Sequence, residues 1–389
     1  MDFSQVELSR EDEEFQRQVR ADLAELVTAE VIEHDRQTGE NFHEGLHLAL
    51  AECGYLARDF YDEADGGFTA VQRRIWELEL GRAHAPWFHW PTTMMVAKAV
   101  GKFADPDLVA ELMPAVLSGH RRLCLGYTEP DGGSDVATCK TRAVRDGDGS
   151  TWVINGSKMF TSNAHNAQYV FLITNTDPQA PKHKSLTMFL VPLNSPGIEI
   201  QGIRTVDGDR TNITYYSDVR VDDKYRVGAV NGGWTVLRDA LNAEHGTIER
   251  DNEGLQKLAT MTEHILLTAE AVDRVAAVAR VDDDAVAYRL GRAASRLEVA
   301  LSAPAMSGRV SIAQTMRDIA PELMDILGTA ASLPVGTTGA MDDGGAEYIF
   351  RLASPTGIYG GTLEIFRNMI AQQILGLGRP AYAPPVKAR

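Results

Sequence analysis

Leu125-Gly126-Tyr127-Thr128-Glu129-Pro130-Asp131-Gly132-Gly133-Ser134-Asp135 divides the chain into two textures. Before it, apolar residues recur at helical spacing. After it, short β-rich runs alternate with turn signals. Pro130 and the paired glycines fix a tight, irregular backbone, and Thr128, Ser134 and the loop N–H groups are small donors. Such a loop can approach a flat polar ring or a pyrophosphate closely, as backbone nests do. The residues alone also allow an ordinary domain linker, although conspicuous loops often carry function.

On the N-terminal side, Phe15, Val19, Leu23 and Val27 repeat along Glu11–Ala29, which predicts one amphipathic helix. Phe42, Leu46, Ala49 and Cys53 form a second stripe, and Leu108–Leu117 a third with Pro114 inside it. On the C-terminal side, strands are expected at Thr138–Arg145, Thr151–Ile154, Tyr169–Thr174, Ser185–Leu193, Ile198–Ile203 and Thr214–Val221. They are separated by Asp146-Gly147-Asp148-Gly149, Asn155-Gly156 and Ser195-Pro196-Gly197, and Asn-Gly favours a type I′ hairpin. Several short strands at this spacing suggest a small antiparallel barrel or sandwich. Helical texture returns after Asn231-Gly232-Gly233. It begins with Trp234–Glu244 and continues with an Ile265/Ala269/Val272/Ala276/Ala279 stripe. A Leu290/Leu297/Leu301 stripe follows the acidic cap run Asp282-Asp283-Asp284. Residues 331–346 read as a loop, and a last helix is expected over Leu363–Leu375. The expected architecture is α+β: a helical domain over 1–122, a β domain over 123–230 and a helical bundle over 231–389.

Composition narrows the function. The 389 residues carry 38 Lys plus Arg against 54 Asp plus Glu, a formal charge of −16. That balance opposes a nucleic-acid surface, which wants excess cations to neutralise phosphates. No apolar run approaches the ~18 residues that span a bilayer, and the charged start, Met1 to Gln18, does not read as a secretory signal. Cys53, Cys124 and Cys139 are odd in number and lack CxxC spacing, which fits a reducing cytoplasm and gives no metal or disulfide framework.

Two short motifs compete for attention. His43-Glu44-Gly45-Leu46-His47 matches HExxH, which on a helix sets two zinc ligands one turn apart. It overlaps the Phe42/Leu46 packing stripe, has Gly45 at its centre and meets no evident third ligand, so a zinc hydrolase stands only as a rival class. Gly376-Leu377-Gly378-Arg379-Pro380-Ala381 has the letters of a dinucleotide fingerprint but follows a predicted helix, where the fingerprint needs a strand before it. A P-loop and a GxSxG elbow are both lacking.

The dividing loop resembles the first signature of the acyl-CoA dehydrogenases, a flavoprotein family. Asn155-Gly156-Ser157-Lys158-Met159-Phe160-Thr161-Ser162-Asn163 resembles the family's second flavin-contacting stretch, and Ile358-Tyr359-Gly360-Gly361-Thr362-Leu363-Glu364-Ile365-Phe366-Arg367-Asn368 its C-terminal signature. The three motifs occur in the family's order, and the helical, β, helical succession matches its fold. The resemblance implies FAD and α,β-dehydrogenation of an acyl-CoA thioester, with an electron-transferring flavoprotein or similar acceptor. It implies that Tyr127 and Thr128 bond the pyrimidine end of the flavin, and that Ser134, beside Gly133, meets the pyrophosphate. Phe160 would pack on the isoalloxazine where the family usually has Trp, and Ser162 would lie near N5. Thr362 and Glu364 are further cofactor-binding candidates from the C-terminal signature.

Two departures stand out. The family's commonest catalytic base follows the signature tyrosine, and here that position is Gly360, whose N–H could still polarise a thioester carbonyl. A minority of the family places the base on an earlier helix, which Leu241-Asn242-Ala243-Glu244-His245 resembles. Glu244 is therefore the candidate base, with His245 and Glu249 behind it. The second departure is an absence. The family's Arg-x-x-Phe-Gly segment, which grips the neighbouring subunit's pyrophosphate, is missing between His245 and Asp284, and Asp325 stands where Gln is frequent. These losses fit a tetramer of the α2β2 kind, as in actinobacterial steroid-acyl dehydrogenases, in which a homologous chain supplies the missing grip. A catalytically silent structural subunit is the alternative. His89–Val96 is a candidate acyl-pocket lining, with core packing as its other reading, and a bulky or steroid side-chain acyl group is the expected substrate.

Overall fold

Ser9, Thr28 and Thr69 start helices by one mechanism. Each hydroxyl accepts the N–H three residues on, at Asp12 (3.1 Å), Val31 (3.4 Å) and Gln72 (3.1 Å), satisfying a donor that the first helical turn leaves open. The structure, a computed structural model, describes residues 7–147, 149–245, 261–303 and 305–378; the side chains of residues 243–245 and 305 lie outside that description. Seven helices come first: α1 (Arg10–Leu26), α2 (Ala29–Thr38), α3 (Glu44–Glu52), α4 (Tyr55–Phe60), α5 (Ala70–Arg82), α6 (His89–Phe103) and α7 (Pro106–Leu117). Eight strands follow: β1 (Leu123–Gly126), β2 (Arg142–Arg145), β3 (Thr151–Lys158), β4 (Tyr169–Asn175), β5 (Leu186–Pro192), β6 (Ile198–Arg204), β7 (Arg210–Asp222) and β8 (Arg226–Val227). The chain then returns to helix in α8 (Gly233–His245), α9 (Thr262–Val278), α10 (Asp284–Leu301), α11 (Ala305–Leu327), α12 (Gly345–Thr356) and α13 (Leu363–Met369). The helical, β, helical order expected from the sequence is the order observed.

The strands form one sheet in the order β6-β7-β3-β2-β4-β5-β8, with β1 pairing β4 in parallel and most other pairs antiparallel. Period-two side-chain alternation divides it between two cores. Phe171 and Ile173 of β4, with Met188 and Leu190 of β5, join the core of the N-terminal helices. Val170, Leu172, Phe189 and Val191, the residues between them, pack instead with Trp152, Ile154, Tyr216 and Val219. Strands buried on both faces read as continuous apolar runs, as β4 and β5 do.

The chain divides into two compact units. One takes in the described residues through 245 with Thr262–Leu267, and the other takes Met261 and the described residues from Thr268 onward. Within the second, α11 buries Ile312, Met316, Ile319 and Leu323, and a ladder of Arg289–Asp325, Arg292–Glu322 and Arg296–Asp318 pairs joins α10 to α11.

Some local expectations are corrected. The predicted Glu11–Ala29 helix is two helices, because Thr28 caps a new one. Asn155-Gly156 is no hairpin. It lies inside β3, where the register shifts between Ile154 and Gly156. Gly156 has φ +147°, and a Cβ there would fall 2.7 Å from the Thr141 Cα, so a bulge and a close approach explain this glycine. Thr138–Arg145 is a strand only over Arg142–Arg145. The predicted last helix is α13 followed by a π-helical turn over Ile370–Ile374.

Candidate active site

The signature loop leaves β1 at Gly126 and is fixed from inside by a carboxylate. Glu129 Oε1 accepts hydrogen bonds from Lys158 Nζ (2.8 Å), Thr141 N (2.8 Å) and Thr141 Oγ1 (2.7 Å), while Oε2 accepts Lys140 N at 2.7 Å. Lys158 closes β3 and is fully buried; its ammonium also donates to the Tyr127 carbonyl at 3.3 Å and approaches Cys139 Sγ at 3.3 Å. Burial alone would raise the Glu129 pKa, but the Lys158 charge and these hydrogen bonds hold it down at about 2. Burial pushes the Cys139 thiol up to about 11, so it is packed rather than reactive.

This anchor brings two of the sequence motifs together. Met159 N donates to Thr128 O at 2.9 Å, joining the first signature to the turn that follows β3. Phe160 stands on that turn at φ +57°, a left-handed conformation uncommon for an aromatic residue, with 53% of its surface exposed. An exposed, strained aromatic ring next to a glycine-rich loop is a functional arrangement rather than a packing one. Ser162 Oγ lies 3.1 Å from Thr211 Oγ1. Tyr127 and Thr128 are half-buried, and Gly133 and Ser134 are exposed. A cavity of about 180 Å³ opens beside them, lined by Tyr127, Glu129, Gly132, Val136 and Lys140.

The residues present fit a flavin. A Cβ at Gly133 would sit 3.3 Å from Thr128 Cγ2, so glycine keeps the loop open there. The buried carboxamide oxygens of Asn163 and Asn212, beside the Phe160 turn, meet no donor among the described residues, leaving hydrogen-bond capacity at the site. Lys140 pairs with Asp131 at 2.7 Å and Lys182 with Asp135, so the rim of an acidic chain carries two cations of its own.

Gly360, Thr362 and Glu364 belong to the second unit. Gly360 has φ +60° and Gly361 φ +96°, a glycine-favouring pair, and a Cβ on Gly361 would strike the Phe366 ring at 2.8 Å. The wholly buried Arg309 holds this loop by donating to Tyr359 O at 2.7 Å. Thr362 caps α13 by accepting Ile365 N at 3.3 Å, and Glu364 is exposed in its first turn. Glu244 stands in the last turn of α8, and its side chain lies outside the described residues, as does that of His245. Glu249 also falls outside them, and the dinucleotide-like run Gly376–Ala381 is described only through Gly378. Asp325, expected to repel a pyrophosphate if near one, is bound by Arg289 at 2.8 Å.

The HExxH residues have other work. His43 is the N-cap of α3, its Nδ1 accepting Leu46 N at 3.2 Å, so Glu44 opens the helix. His47 is buried among Phe42, Trp87 and Trp90, and desolvation lowers its pKa to about 4. Among the described residues no group of three His, Cys, Asp or Glu could hold a metal ion.

Sequence reasoning missed Glu129, Thr141 and Arg309. The signal for Glu129 was a carboxylate inside a Gly/Pro loop; its partner Lys158 lies 29 residues away, beyond any local pattern.

The family description "Acyl-CoA dehydrogenase, N-terminal domain" matches residues 9–120, and "Acyl-CoA dehydrogenase, middle domain" matches residues 124–223. The acyl-CoA dehydrogenase FadE26 of Mycobacterium tuberculosis is 30% identical over 96% of this chain and 99% of its own length. A solved structure described as the Tcur3481-Tcur3483 steroid ACAD superposes with a TM-score of 0.82 at 29% identity, covering 98% of this chain and 100% of that one. The ChsE4-ChsE5 complex from Mycobacterium tuberculosis gives 0.81 at 27% identity, covering 97% of this chain and 100% of that one.

Proposed function

Because the chain belongs to the acyl-CoA dehydrogenase family, we propose that it binds FAD and converts an acyl-CoA thioester to the trans-2-enoyl-CoA. The observation that carries this reading is the Glu129–Lys158 anchor, which sets the Tyr127–Ser134 loop against the exposed Phe160 turn. Bound there, the flavin supplies the hydride-accepting ring. Tyr127 and Thr128 offer hydrogen-bonding groups to its pyrimidine end. Gly133 and Ser134 receive the pyrophosphate, with Lys140 and Lys182 as nearby positive charge. Phe160 covers the ring and Ser162 orients its central edge.

Glu244 takes the α-proton, and the Gly360 N–H polarises the thioester carbonyl. These roles, and contact of Thr362 and Glu364 with the cofactor, rest on motif match alone. The relatives' names point to a bulky or steroid side-chain acyl group as substrate, and the two-chain titles of the solved structures to an α2β2 assembly with a homologous chain. An electron-transferring flavoprotein is the proposed acceptor. The three cysteines are unpaired, in keeping with a cytoplasmic setting.

Gly360 in place of the usual base favours a second reading, a structural subunit without turnover. Expressing the chain alone and with a homologous partner separates the two. Flavin that stays bound and bleaches under an acyl-CoA supports the dehydrogenase, and flavin that never bleaches in either preparation supports the structural subunit.

A further inference from the structure

The turn that carries Phe160 and Ser162 is held from behind by residues no motif includes. Asn212, fully buried on β7, grips Thr161 twice. Its backbone carbonyl accepts Thr161 N at 2.8 Å, and its side-chain Nδ2 donates to Thr161 O at 2.9 Å. A carbonyl only accepts, so the amide nitrogen, not the oxygen, must face Thr161. The second Nδ2 hydrogen meets His165 Nδ1 at 3.2 Å, which makes that ring nitrogen an acceptor. The other ring nitrogen, Nε2, then carries the proton and donates to Glu40 at 3.0 Å. Burial first, then the Arg210 charge, keeps the His165 pKa below its ordinary value, consistent with this neutral tautomer. Glu40 is fixed in turn by Arg210 Nη1 (3.2 Å) and Asn166 Nδ2 (3.1 Å). Glu40 lies between α2 and α3, so the chain of bonds runs from the N-terminal helices to the strained turn.

We propose that Glu40, His165 and Asn212 form a positioning relay that fixes the Phe160–Asn163 turn and so sets the geometry of the flavin face. Glu40 selects the ring tautomer, His165 aligns the Asn212 amide, and Asn212 locks the Thr161 peptide. Each donor has one acceptor, so removing the ring frees the amide to rotate and the turn to relax. The part concerning the flavin rests on the function proposed above, and the part concerning the turn does not.

The test measures amide hydrogen exchange at Thr161, together with flavin affinity, visible spectrum and reduction potential, in the full chain and its flavin-loaded form. In His165→Ala, Thr161 should exchange about tenfold faster, the scale of one hydrogen bond, while Phe171 and Leu172 in β4 keep their rates. Flavin should bind about tenfold more weakly, with a shifted visible band and potential. His165→Gln, which keeps a donor for Glu40 and an acceptor for Asn212, should return all readouts toward wild type. Adding Phe160→Ala to His165→Ala should shift the flavin readouts no further. Unchanged Thr161 exchange in His165→Ala overturns the relay. Faster exchange with wild-type flavin affinity and spectrum overturns its role toward the cofactor. Wild-type chain that takes up no flavin contradicts the function proposed above, and Thr161 exchange still decides the relay. If His165→Ala does not fold, Glu40→Gln replaces it, with a smaller shift in the same direction expected and no shift overturning the relay.

Discussion

Lys158 Nζ lies 2.8 Å from Glu129 Oε1, with the lysine side chain wholly buried and the glutamate 10% exposed. This pair joins the loop after β1 to the end of β3, and both flanks of the candidate flavin site depend on it. Removing one partner of a buried pair strands the other charge, which costs about 3–5 kcal/mol. Lys158→Ala should therefore lower stability by about that amount in denaturant unfolding and release bound flavin. Exposed pairs such as Lys140–Asp131 contribute little, so Lys140→Ala should change stability by less than about 1 kcal/mol.

The same pair predicts an acid limb. The Glu129 pKa is depressed from 4.5 to about 2 in the folded protein, so its contribution is present above about pH 4.5 and is lost as pH falls toward about 2. Glu129→Gln should lose about 2–3 kcal/mol at neutral pH, and its stability should vary less than wild type's between pH 5 and pH 2 in thermal unfolding.

Asp209 carries the opposite sign. Burial, and then the neighbouring Asp207, raise its pKa from 3.8 to about 6. Its protonated form is the favoured one in the fold, so the benefit present below about pH 4 is lost as pH rises through about 6. Asp209→Asn should stabilise the protein by about 1–3 kcal/mol at pH 7.5 and converge with wild type near pH 4. Equal melting temperatures at pH 7.5 would contradict this.

Much of the architecture was legible because periodicity is local. The Phe15/Val19/Leu23 stripe and the runs that became β4 and β5 follow from spacing alone. Asn155-Gly156 misled because its glycine serves a bulge against Thr141, a contact between distant residues that no dipeptide rule contains. The loop and the Phe160 turn were legible as motifs, but not what holds them. Glu129 with Lys158, Asn212 with Thr161 and Arg309 with Tyr359 are pairings across 29 to 51 residues. Their partners are set by topology.

Gly360 offers a local test. At φ +60° a side chain is disfavoured by about 1–2 kcal/mol. Gly360→Glu, which puts a carboxylate at the family's commoner base position, should lower stability by about that amount. Turnover should still depend on Glu244. Substantial activity in the Gly360→Glu, Glu244→Gln double variant would show that the base can move and that the loop tolerates it.

The most direct measurement is anaerobic titration of the flavin-loaded assembly with a steroid side-chain acyl-CoA, following the visible flavin band. The account predicts that wild type bleaches, while Glu244→Gln keeps its flavin and does not bleach on the same timescale. A wild-type flavin that stays oxidised under every acyl-CoA tried, or a Glu244→Gln variant that bleaches as fast as wild type, would contradict it.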